Sequence, residues 1–230
     1  MADILKKTAF KGFSMESLYF LKGLALNNHK VWFEANREDF EITILEPMRK
    51  IIADLGDTML SIDPLIEIRP HRSISRIYRD TRFSKDKSPY KTTLWITFKR
   101  PGHDWQGSPA YFFELYQDSY RYGMGFYNAE KRIMDKLREM IDTQPQKFRQ
   151  AVSFYNKQKT FDLQGECYKR KSNNDLPEDL VTWYQRKSFY LVCHRDIDVS
   201  LFSSYLIDDL STDFKALAPF YHFLWALTES

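Results

Sequence analysis

The feature that most restricts how this 230-residue chain can fold is a change of hydrophobic period, from helical to alternating and back to helical. Between Ser14 and Leu60 the apolar residues recur at three- and four-residue intervals: Leu18, Leu21, Leu24 and Ala25, then Trp32, Phe33, Phe40, Ile44, Met48, Ile51, Ile52 and Leu55. That spacing places them on one face of a helix. Ser14 can cap a first helix, Glu16 favours its positive end, and Asn27-Asn28 interrupts it. A second, longer helix is predicted to reach almost to Leu60. Pro47 should kink or divide it, because proline lacks a backbone donor and crowds the preceding turn.

From about residue 72 the pattern alternates. Ile74 and Tyr78 stand among polar neighbours, Leu94, Ile96 and Phe98 alternate with Thr93, Trp95 and Thr97, and Tyr111, Phe113 and Leu115 do the same. These segments are predicted strands. Gln117-Asp118-Ser119 marks a tight connection into a further strand over residues 120–127, which gives an antiparallel meander of about four strands. Tyr122-Gly123-Met124-Gly125-Phe126 lies inside that strand, where glycines permit a bulge or close packing. After Asn128, a candidate N-cap, helical spacing returns with Ile133, Met134, Leu137, Met140 and Ile141. Residues 145–157, 177–187, 200–210 and 214–227 read as further helices, and residues 188–194 as one more strand. Residues 101–109 and 165–174 read as loops, the first being a candidate lid. The expected fold class is α+β, with a mainly antiparallel sheet of about four to five strands packed with N-terminal and C-terminal helices. No repeat or hydrophilic linker divides the chain, so residues 1–230 are expected to form a single domain.

With 43% hydrophobic residues the chain can bury a substantial core rather than remain disordered. Cys167 and Cys193 are too few for a disulfide framework and lack the close pairing of a zinc site, so reduced thiols and no metal centre are expected. No run of about 18 apolar residues occurs, and the lysines near the N-terminus precede no apolar stretch. A cytoplasmic protein without a membrane partner is expected.

Charge is unevenly placed. Between Arg69 and Lys91 lie eight basic residues (Arg69, Arg72, Arg76, Arg79, Arg82, Lys85, Lys87 and Lys91) against two acids, Asp80 and Asp86. The rest of the chain has 26 basic and 29 acidic residues. Like charges at this density repel unless an anion or carboxylates neutralise them.

The run Arg76-Ile77-Tyr78-Arg79-Asp80-Thr81-Arg82-Phe83-Ser84-Lys85-Asp86-Lys87-Ser88-Pro89-Tyr90-Lys91-Thr92 resembles the signature of a bacterial and fungal family of uncharacterised proteins, a domain of unknown function. Phe20-Leu21 with Leu24, Asn27-Asn28 with Lys30, Trp32-Phe33 and Asn36-Arg37 resemble that family's N-terminal pattern, and Lys187-Ser188-Phe189 a short element near its end. The resemblance implies one domain in the cytoplasm and supplies no activity, cofactor or catalytic residue.

Physical chemistry therefore supplies the functional expectation. Arginine forks suit phosphate and carboxylate oxygens, lysines add point charges, and serine and tyrosine offer hydroxyl donors. The expected anion-binding residues are Arg76, Arg79, Arg82, Lys85, Lys87, Tyr90 and Lys91, with Asn36, Arg37, Asp80, Ser84 and Asp86 in support. The expected partner is a phosphate-bearing or other anionic small molecule. Three alternatives stay open. Asp80 or Asp86 could act as the base of an enzyme working on a phosphorylated substrate, with His71 as a proton carrier. The cations could track single-stranded nucleic acid while Tyr78, Phe83, Tyr90 or Trp95 stack on bases. Or the charges could form a purely architectural network. No Gly-rich phosphate loop, Gly-x-Ser-x-Gly elbow or His-Glu-x-x-His pair occurs, so the sequence names no reaction and no cofactor.

Overall fold

The computed structural model describes residues 9–102, 107–169 and 176–229. The first helix, α1 (Met15–Leu26), is where the sequence places it; it buries Leu18, Phe20, Leu21 and Leu24. The long second helix is instead divided into α2 (Lys30–Ala35), α3 (Arg37–Phe40), a π turn (Glu41–Leu45) and α4 (Glu46–Ile62). Pro47, in the first turn of α4, explains the widened turn, since it cannot donate to the Thr43 carbonyl. That carbonyl accepts from the Ser17 hydroxyl of α1 at 2.8 Å instead, so the oxygen released by the proline is satisfied.

A single turn, α5 (Pro70–Ser73), precedes the sheet. The strand expected around Ile74 to Tyr78 is not regular, and only two antiparallel bridges form, Ile74 to Ile96 and Tyr78 to Tyr90. Four steps separate the bridged residues on one side and six on the other. The two additional residues break the ladder. The regular strands are β1 (Leu94–Phe98), β2 (Ala110–Leu115), β3 (Ser119–Gly125), β4 (Asp162–Gln164) and β5 (Tyr190–Asp196). They form one antiparallel sheet in the order β1-β2-β3-β5-β4, and the fold is α+β. Gly123 permits a close approach within it, because a Cβ there would lie 1.9 Å from the Leu191 carbonyl oxygen.

The remaining helices are α6 (Lys131–Thr143), α7 (Pro145–Ala151), α8 (Glu178–Tyr184) and α9 (Tyr205–Glu229). Glu130 rather than Asn128 caps α6, and α7 stops well short of residue 157. The two closing helices expected from sequence are one, α9. Polar residues between the two expected ranges have partners on the helix face: Ser211 shares a hydrogen bond with Thr58 at 2.9 Å, and Asp213 accepts from Tyr122 at 2.7 Å. Part of each expected loop, residues 103–106 and 170–174, lies outside the described residues.

The chain gathers into two compact groups. The first comprises Met1–Phe98, Phe112–Tyr122 and His194–Asp213, and its core holds Leu21, Leu24, Phe33, Ile44, Ile52, Leu55 and Phe113. The second comprises Lys99–Tyr111, Gly123–Cys193 and Phe214–Ser230. Its core is aromatic: Trp183 stands 5.8 Å from Phe148 and 5.4 Å from both Phe189 and Phe220 in edge-on contacts. Among the described residues, no helix is long and apolar enough to cross a membrane.

Candidate functional site

The basic segment is a loop of the first group, closed at its neck by backbone bonds. The Arg79 amide donates to the Pro89 carbonyl at 2.9 Å and the Lys91 amide to the Ile77 carbonyl at 2.8 Å. Asn28, between α1 and α2, fixes the neck from outside: its side chain accepts from the Tyr90 amide and donates to the Tyr90 carbonyl, both at 3.0 Å. The buried Tyr90 ring stacks on Phe33 at 4.3 Å, and burial raises the pKa of its phenol. Tyr90 thus anchors the loop by packing. Across the neck Tyr78 is exposed.

Carboxylates take half of the eight cations. Asp86 pairs with Arg79, and its other oxygen accepts from the Ser88 amide at 2.9 Å and the Ser88 hydroxyl at 2.6 Å. Asp80 pairs with Arg82, accepting from Nη2 at 2.7 Å and from the Arg82 amide at 3.2 Å. Bonds from Ser88 and Arg79 hold the Asp86 carboxyl at about 2, and bonds from Arg82 hold Asp80 at about 2. Glu67, just before the counted segment, takes two more. This buried carboxylate accepts from Arg69 Nε at 2.8 Å, has Arg72 Nε at 4.0 Å, and is held at about 2 chiefly by Arg69.

Arg76, Lys85, Lys87 and Lys91 form no ion pair with any described acid. The Lys87 ammonium donates to the Thr81 carbonyl at 2.9 Å. Lys91 donates to the Arg76 carbonyl at 2.7 Å, and its Nζ lies 4.7 Å from the centre of the Trp95 ring. Burial first, and the Arg76 guanidinium second, lower the pKa of Lys91. Phe83, 95% exposed, stands at the loop's tip with the Arg82 guanidinium 5.7 Å from its ring centre.

The supporting residues divide. Arg37 is held in its charged form by Glu34, which accepts its Nε and Nη2 at 2.9 and 2.8 Å, and next by the Tyr78 hydroxyl. It therefore reaches the neck. Asn36 instead lines a cleft that none of residues 76–91 joins. The Ser84 amide donates to Thr81 within the loop, and His71 is exposed on α5.

A known family model matches the chain over residues 16–223. The chain belongs to the DUF2461 family of conserved hypothetical proteins. The match runs from α1 to the last turns of α9 and includes the whole basic loop. No curated protein matches the chain.

Sequence reasoning also passed over a polar cluster in the first group. Asp198 accepts from the Tyr120 hydroxyl at 3.0 Å and from Arg195 Nη2 at 2.6 Å. Nearby in sequence on α9, Asp213 accepts from Tyr122, and burial raises its pKa, with Asp209 adding to the effect. The sequence signal was the pair Tyr120 and Tyr122, two residues apart on one face of β3.

Proposed function

We propose that the loop over residues 76–91 binds a phosphate-bearing or other anionic small ligand in the cytoplasm. The observation that carries this reading is the pair Arg76 and Lys91, two cations lying together with no described carboxylate to neutralise them. An anion placed there relieves their repulsion and gains charge-assisted hydrogen bonds. Lys85 and Lys87 add charge from the loop's tip side. Arg79 and Arg82 contribute less than their number suggests, because each already holds an aspartate. The exposed Phe83 with its stacked Arg82 favours a ligand that joins a flat ring to its phosphate.

Asp80 and Asp86 suit an architectural role better than a catalytic one. A carboxylate held at about 2 is a weak base near neutral pH. The exposed Phe83 and Tyr78 also favour a second reading, single-stranded nucleic acid, which requires affinity that falls steeply with salt.

Calorimetric titration of pyrophosphate and ATP against wild type and an Arg76→Ala/Lys91→Ala variant tests the proposal. Saturable binding weakened at least about tenfold in the variant is expected, as charge-assisted bonds contribute about 1.5–3 kcal/mol each. Absent binding, or equal affinity in both proteins, overturns it.

A further inference from the structure

A cleft whose lining has charge opposite to that of the loop lies on the N-terminal helices. About 280 Å³ in volume, it opens between α1 and the α2–α3 segment. Its apolar lining is aromatic: Phe20 and Trp32, ring centres 5.6 Å apart, with Tyr19, 59% exposed, beside them. Gly23 explains how the indole comes so close to α1, since a Cβ there would lie 2.8 Å from Trp32 Cζ2. Glu16 and Asp39 supply the charge, and Asn36 and Thr43 complete the lining.

Of the four other carboxylates in residues 34–46, three are spent on cations and Glu38, among the described residues, is not. Glu34 pairs with Arg37, Glu41 with Arg49 and Glu46 with Lys50, each at the surface. Glu16 and Asp39 pair with no described cation. A bond from Ser14 lowers the pKa of Glu16, so it is ionised at neutral pH. Asn36 donates one of its two side-chain amide hydrogens to the Trp32 carbonyl at 2.8 Å, and its own side-chain oxygen is an acceptor. The cleft therefore combines π faces, two anions and one neutral acceptor, and every one of these recognises a cation carrying N–H groups. Residues 34–46 contain five acids and one base, so the surrounding field has the same sign. The volume fits a head group rather than a whole drug-sized ligand.

We infer that this cleft binds the guanidinium or alkylammonium head of an organic cation, over the rings of Phe20 and Trp32 and between the carboxylates of Glu16 and Asp39. The head group belongs either to a free amine or to an arginine or lysine side chain of another protein. The inference stands independently of the anion site.

The test is calorimetric titration of n-propylguanidinium chloride, its neutral isostere n-propylurea, and the blocked tripeptide Gly-Arg-Gly into the full-length protein. The guanidinium is expected to bind saturably and the urea not to bind. Trp32→Leu should weaken binding about tenfold, as should Glu16→Gln/Asp39→Asn, whose exposed positions leave folding intact. Arg76→Ala/Lys91→Ala should bind the guanidinium as wild type does, which separates failure here from failure of the anion site. Tighter binding of the tripeptide assigns the natural head group to a protein side chain, and weaker binding to a free amine. No saturable guanidinium binding, equal binding of the urea, or unchanged affinity in the Glu16→Gln/Asp39→Asn protein overturns the inference.

Discussion

Arg69 closes on Glu67 with its own amide at 2.9 Å as well as its guanidinium, so one short stretch of chain wraps a buried carboxylate. Those bonds lower the Glu67 pKa from 4.5 to about 2 despite burial, which alone would raise it. A depressed carboxyl stabilises the folded state fully above its ordinary pKa, and that stabilisation is lost as pH falls from about 4.5 through about 2. Glu67→Gln keeps the shape and removes the charge. Urea unfolding at pH 7 should show a loss of about 1.5–3 kcal/mol, the range for hydrogen bonds to charged groups. A change below about 0.5 kcal/mol, the usual size of a surface substitution, would contradict this reading.

At the scale of elements, the loop is a closed hairpin stem with an irregular tip, and its two aspartates act as local caps. Asp80 receives the Arg82 amide and Asp86 the Ser88 amide, the pattern of an Asx turn two residues on. Both carboxyls fall from 3.8 to about 2, so both turns persist at pH 3.8 and open as pH falls through 2. Amide resonances of Arg82 and Ser88 followed by NMR should move with midpoints near 2; midpoints near 3.8 would show that the caps do not form in solution. Much of this was legible in sequence: the alternating runs became β1, β2 and β3, and the charge count located the loop. The pairing within it was not. Glu67 sits outside the segment counted, and nothing in its neighbours signals burial. β4 is three residues long, too short for alternation to register, and Pro47 announced a break without revealing that a π turn would absorb it.

For the whole molecule, the boundary between the two compact groups falls inside β2, β3 and β5 rather than in a linker. Strands cut by a boundary are poor places for independent unfolding, so we expect a single domain. Thermal unfolding followed by far-UV dichroism and by tryptophan fluorescence should give coincident transitions; two separated transitions would contradict this. Charge, by contrast, is partitioned within the first group: among the described residues, cations lack acids on the loop and acids lack cations in the α1–α2 cleft. Lys91 reports on the loop's cations. Its pKa should lie below the ordinary 10.5 in the protein alone, because burial and Arg76 oppose its charge. Side-chain NMR titration of Lys91 with and without millimolar pyrophosphate should show that pKa rising when the anion is present. A Lys91 pKa that pyrophosphate leaves unchanged would contradict the account.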